Sequence, residues 1–124
     1  MLVDEELSEA IIGAAIEVHR ATGPGLLESA YQNFLAHELT LRRIAYAKEV
    51  PLPVAYKGVR LDCGYRMDFV IEDRIVLEVK SVEKLIAIHE AQLLTYLKLS
   101  GKRVGLMINF NSAVIRNSLI RRVL

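Results

Sequence analysis

Residues 65–81, "YRMDFVIEDRIVLEVKS", constrain the fold more than any other stretch of this chain. Val, Ile, Leu and Phe crowd both halves, and the polar "EDR" between them marks a tip, so the segment predicts two strands of a hairpin. Strands this apolar are buried on both faces, inside a sheet that other elements cover. Asp68 nevertheless sits within the first strand, and Glu78 and Lys80 sit within the second. A buried hairpin carrying two acids and an amine calls for an explanation beyond packing.

Register decides whether the three meet. Alternate residues of a strand share a face, so Glu78 and Lys80 point one way and Leu77 and Val79 the other. If Ile71 pairs with Ile75 around a three-residue loop, Asp68 falls opposite Glu78 and Arg66 opposite Lys80. Opposed side chains have Cβ atoms about 5 Å apart, close enough for two carboxylates to share a cation. A two-residue loop would reverse the faces and separate the acids. Paired carboxylates repel unless a proton or a cation lies between them. Oxygen ligands suit Mg²⁺, with Mn²⁺ as a substitute, and Mg²⁺ commonly takes one or two carboxylates plus waters and phosphate oxygens. Lys80 beside such a site would stabilise charge developing on a phosphate. The same spacing also suits a cross-strand salt-bridge cluster, with Arg66 and Lys80 neutralising Asp68 and Glu78.

The rest of the chain supplies the cover. Its 124 residues suit one domain spanning 1–124, and 52% hydrophobic residues are enough for a core. Asp4 or Ser8 caps a first helix, which "ATGPG" ends; a second helix runs from about Leu26 to Arg43. "IAYAKEVPLPVAY" predicts an extended strand whose Pro51 and Pro53 suit a sheet edge. After the hairpin, a third helix covers about Lys84 to Leu99 and closes at Gly101. "RVGLMINF" is a buried strand, and "AVIRNSLIRRVL" a short strand or strand pair. The order α-α-β-β-β-α-β-β, with a crossover through helix three, implies a mixed central sheet flanked by helices. The third helix is apolar nearly all round except for His89, Gln92 and Tyr96, whose spacing puts them on one stripe. Such a stripe faces either a polar site or the solvent edge.

Composition excludes other classes. No apolar run approaches the roughly 18 residues that span a bilayer, and the acidic start lacks the basic region of a secretory signal, so a soluble, cytoplasmic protein without a membrane partner is expected. The single cysteine, Cys63, forms no internal disulfide and no Cys-rich zinc site. His19, His37 and His89 have no ligand spacing, and no nucleophile elbow occurs. Net charge is only +1, yet six acids and a single base occur up to Glu28, and six bases without an acid follow Glu90. The basic end either faces phosphate or pairs with the acidic start. "GPGLLE" is not a dinucleotide fingerprint, because no strand precedes it and Glu28 replaces the third glycine. Glu28 there is either a partner of the helix dipole or a third carboxylate facing the site.

"GLLESAY" has the form Gly-x-x-Glu-x-x-Tyr at Gly25, Glu28 and Tyr31. Together with "GYRMD", "LEVKS" and "HEAQLLTYLKLSG…VGLMINF", it resembles the GxxExxY family of the PD-(D/E)XK nuclease superfamily, from about Leu7 to Leu124. The resemblance implies an α/β (α+β) restriction-endonuclease-like αβββαβ core. It implies Asp68 and Glu78 as metal-binding acids, Lys80 as the catalytic lysine, and Glu28 as a further acid from the preceding helix. Gln92 and Tyr96 are similar to the Gln-x-x-x-Tyr motif of the branch that holds the RecB and lambda exonuclease domains. Met67 stands where the superfamily motif has Pro. The implied activity is Mg²⁺-dependent hydrolysis of nucleic acid, DNA ahead of RNA. A chain this small has little room to grip a duplex, which implies a homodimer or a partner protein. The alternative is a non-catalytic nucleic-acid-binding or accessory module that keeps the fold; an intact set of Glu28, Asp68, Glu78, Lys80 and Gln92 favours the enzyme.

Overall fold

The computed structural model describes residues 3–124. Helix α1 spans Glu5–Thr22 and α2 spans Glu28–Leu41; strands β1 (Tyr46–Pro51), β2 (Val54–Tyr56), β3 (Val59–Leu61), β4 (Arg66–Ile71) and β5 (Ile75–Lys80) follow. Helix α3 (Ala87–Ser100), strand β6 (Val104–Asn109), a 3₁₀ turn (Ile115–Asn117) and strand β7 (Leu119–Val123) complete the chain. The main sheet runs β1-β4-β5-β6-β7. Its pairs are antiparallel except β5 with β6, which α3 joins as a parallel crossover. The mixed sheet and flanking helices agree with the fold expected from the sequence.

Helices α1 and α2 cover one face, where Ile11, Tyr31 and Leu35 pack on Phe69, Leu77, Val79 and Ile108. Helix α3 covers the other, where Leu93, Tyr96 and Leu97 pack on Val70, Val76 and Met107. Gly105 lets α3 lie close: a Cβ there would stand 2.8 Å from Leu93 Cδ1. Burial of these two faces is the main stabilising contribution.

Several expectations are corrected. The stretch after α2 is two strands in two sheets, because Leu52 leaves β1 to donate its N–H to Tyr65 O at 3.0 Å, and Val54 begins a separate hairpin. β1 itself lies at the sheet edge, as Pro51 suggests. The chain's end is a 3₁₀ turn and a single strand. Asp4 occupies the N-cap position of α1 without capping it; its carboxylate pairs with Arg74 at 3.0 Å. Ser8 lies buried inside the helix and accepts Arg121 Nε. Helix α3 is not buried all round, since Ile88 is 67% exposed. The acidic start and the basic end pair at one point, where Arg116 meets Glu9 at 3.0 Å; Arg121 donates to the backbone carbonyl of Val3, and Arg122 binds Glu90 of α3 at 2.6 Å instead.

Candidate active site

The three-residue loop forms. Ile71 pairs with Ile75 and Phe69 with Leu77, while Glu72 and Asp73 turn the chain at φ +52° and +55°. One further step along the register sets Asp68 across from Glu78. There the backbone ladder gives way to side chains. Asp68 N–H donates to Glu78 Oε2 and Val79 N–H donates to Asp68 Oδ2, each at 2.8 Å. On the other flank, β1 pairs Lys48 with Phe69 and Val50 with Met67 but leaves Glu49, at φ +50°, unpaired with Asp68. Met67 accordingly packs in the α3 cluster, whereas Phe69 packs in the α1–α2 cluster. Strict alternation in β4 therefore stops at Asp68, and the carboxylate occupies the break.

Glu28 reaches this region because the loop ahead of it is fastened from three directions. Gly25 takes φ +95°, a left-handed conformation open to glycine. Buried Tyr31 donates its hydroxyl to Gly23 O at 2.6 Å and accepts Leu26 N–H at 3.2 Å. Its ring stacks on Phe110 with centroids 4.6 Å apart. Ser81 Oγ donates to Leu26 O at 2.6 Å, and Ser81 N–H donates to Glu28 Oε2 at 3.3 Å. The Gly-x-x-Glu-x-x-Tyr run is thus a clasp that holds the start of α2 against the residue after Lys80.

The electrostatics of the acids follow from burial without neutralisation. Glu78 is 3% exposed. Burial, and then the Asp68 charge, push its carboxyl up to about 8, against the opposing pull of the Asp68 N–H and Lys80. Burial also raises Asp68, with Val79 N–H, Lys80 and the Gln32 amide pulling the other way and Glu28 adding to the rise. Among the described residues neither acid forms an ion pair within 4.0 Å, and Arg66 pairs with Asp62 at 3.4 Å instead. The salt-bridge cluster is therefore not what the hairpin builds.

The donor set fits a small divalent cation. Two adjacent carboxylates that are both harder to ionise than usual gain from a cation, and the hydrogen bonds engage one oxygen of each. Among the described residues no three His, Cys, Asp or Glu side chains converge as a metal cage. Glu28 acts on both acids through its charge.

Helix α3 brings Gln92 and Tyr96 to the same side of the sheet. Gln92 Nε2 donates to the Tyr96 hydroxyl at 3.1 Å. Burial raises the Tyr96 hydroxyl, Gln92 lowers it, and the charges of Glu78 and Asp68 raise it again, so the ring stands within electrostatic reach of both acids. His89 serves its own helix instead, its Nδ1 accepting Ile86 N–H at 3.0 Å where α3 begins.

Three residues escaped the sequence reading. Gln32 follows Glu28 by four residues and so shares its helix face, a spacing that could have found it. Asn109 is 1% exposed and ties the end of β6 to Val82, accepting its N–H at 3.0 Å and donating to its carbonyl at 2.9 Å. A polar residue closing an apolar strand was its signal. Tyr65 meets Tyr96 edge to face at 6.1 Å, and no pattern of spacing marks it. A cavity of about 800 Å³ between β1, the β2–β3 hairpin and the end of α3 holds none of these acids. No helix among the described residues is long and apolar enough to cross a membrane.

A family model described as the PD-(D/E)XK nuclease superfamily matches residues 5–123. No curated protein and no solved structure matches the chain.

Proposed function

We propose that this chain, which belongs to the PD-(D/E)XK nuclease superfamily, is a Mg²⁺-dependent nuclease of the GxxExxY type, in the branch related to the RecB and lambda exonuclease domains. The observation that carries the reading is the Asp68–Glu78 pair, with Glu78 buried and Asp68 half-buried, cross-bonded and with no ion pair within 4.0 Å among the described residues. Among the described residues no ion pair neutralises these two acids, and a divalent ion held by them would do so and could bind a phosphate. The clasp at Glu28 and the Gln92–Tyr96 pair support the same assignment.

Asp68 and Glu78 would hold Mg²⁺, or Mn²⁺ in its place, with Glu28 as a further acid for the ion or a water. The ion, when bound, polarises the phosphate and makes a neighbouring water more acidic. Lys80 is free of ion pairs within 4.0 Å among the described residues, and its charge already acts on both acids. It therefore stabilises the charge that grows on the phosphate oxygens as water attacks phosphorus and the leaving oxygen departs. Glu28, fastened at Ser81, orients that water. Gln92 and Tyr96 bound the site on the α3 side and limit solvent.

The deciding experiment is a cleavage panel on single- and double-stranded DNA and RNA with Mg²⁺, Mn²⁺ and chelator. Metal-dependent cleavage that Asp68→Asn abolishes supports the reading. A panel inert with both ions, alone and as any dimer the protein forms, replaces it with the accessory module.

A further inference from the structure

We propose that the groove between Tyr65 and Tyr96 receives an unpaired base adjoining the cleaved phosphate, which makes single-stranded nucleic acid, or the frayed end of a duplex, the substrate class. The inference rests on the nuclease reading and adds the form of substrate to it. The groove has a volume of about 420 Å³ and is lined by Tyr65, Ile88, His89, Gln92, Thr95 and Tyr96. That volume falls within the roughly 300–1,000 Å³ of sites that bind small flat molecules.

Its position ties it to the acids. Tyr65 immediately precedes β4 and stands three residues before Asp68, about 10 Å along a strand. The donation from Leu52 N–H to Tyr65 O at 3.0 Å fixes the backbone there. Tyr96, buried in the α3 cluster and bonded at its hydroxyl by Gln92, carries the groove to within electrostatic range of Glu78 and Asp68. A nucleotide with its phosphate at the carboxylates can therefore set its base in the groove.

Its chemistry selects a base over a phosphate. No Lys or Arg lines it, so it offers no counter-charge to a backbone. What it offers is aromatic and apolar: Tyr65 is 45% exposed and Ile88 67% exposed, and the Tyr65 ring meets Tyr96 at 66°. Contact by the edge leaves a ring face open for stacking, and the Gln92 amide and Thr95 hydroxyl give a base edge something to bond. A base within a duplex is already stacked and must be extruded before it can use such a groove, whereas a single strand presents it directly.

The test measures binding rather than cleavage. Lys80→Ala slows hydrolysis while leaving the carboxylates, so in that background with Mg²⁺ a single-stranded DNA oligonucleotide carrying a fluorescent adenine analogue reports stacking. The expected result is tighter binding of the single strand than of the same sequence in a duplex closed by hairpin loops at both ends, with quenching of the analogue. Tyr65→Ala weakens single-strand binding about tenfold, the usual effect of losing one stacking partner, and Tyr65→Trp restores it. Tyr65 is exposed and its bond to Leu52 is made by backbone, so both variants fold; their melting temperatures verify this. Unchanged single-strand binding by Tyr65→Ala, or equally tight binding of a duplex closed by hairpin loops at both ends, overturns the inference and leaves the nuclease reading standing. If no variant binds any nucleic acid, both fall together.

Discussion

Asp68 and Glu78 each hydrogen-bond the other's strand: Asp68 N–H reaches Glu78 Oε2, and Val79 N–H reaches Asp68 Oδ2, both at 2.8 Å. Side-chain oxygens here stand where a continuous antiparallel ladder would have carbonyls. The arrangement satisfies the backbone, but it keeps two acids together, Glu78 out of water and Asp68 half-buried. Everything that distinguishes this hairpin chemically follows from that crossing.

A divalent cation should relieve the repulsion. Millimolar Mg²⁺ or Mn²⁺ should raise the melting temperature, since a ligand that binds only the folded state stabilises it by about 2.7 kcal/mol at a hundredfold excess over Kd. Asp68→Asn keeps an oxygen to accept Val79 N–H while removing the charge. It should be as stable as the wild type or more so without metal, and indifferent to metal. Melting curves with and without the ions check this, and a destabilised, still metal-responsive Asn variant would contradict it.

Stability without metal should fall as pH rises. Glu78 is pushed to about 8 in the fold from 4.5 in its unperturbed state, and Asp68 moves in the same direction. Between those values the folded chain holds a proton that the unfolded chain has released, so unfolding becomes easier with each step up in pH. The contribution of Glu78 is complete below about pH 4.5 and gone above about pH 8. Urea midpoints across this window should decline for the wild type and flatten for Glu78→Gln. Metal affinity should run the opposite way, rising with pH, because the ion needs the deprotonated acids.

Lys80→Ala should separate binding from chemistry. The metal-dependent gain in stability should persist, while cleavage falls by roughly 10²–10³-fold, the usual loss on removing one electrostatic stabiliser. Single-turnover rates beside melting curves give both quantities. Loss of metal binding together with activity would make Lys80 a structural partner of the acids.

Tyr31→Phe should loosen the clasp. The substitution keeps the stack on Phe110 but removes the bonds to Gly23 O and Leu26 N–H. Leaving those groups short of a partner should lower stability by about 1–3 kcal/mol. Because the same loop positions Glu28, cleavage should fall by more than Glu28-independent metal binding does. Denaturant titration and calorimetric Mg²⁺ titration on one preparation measure the two effects.

The hairpin was legible in residues 65–81, and so was the condition that only an odd loop brings Asp68 opposite Glu78, because strands obey a period of two; the pairing of Ile71 with Ile75 was decided by the structure. The mixed sheet was legible too, since its helices and buried strands differ in apolar period, and the run from Gly25 to Tyr31 announced itself by its spacing. Other features depend on partners distant in sequence. That Met67 and Phe69 face opposite sides follows from Glu49 and Glu78, which lie on two different neighbouring strands. That Glu28 is held at Ser81, where its charge acts on both acids, depends on Ser81 and Phe110, which no periodicity of α2 encodes. The arginines of the last strand and turn likewise found Glu9 and Glu90 only when the sheet brought β7 beside α1 and α3. Periodicity fixes which face a residue takes within its own element; contacts between elements set the charge and burial of the site, and those are decided only once the sheet has closed.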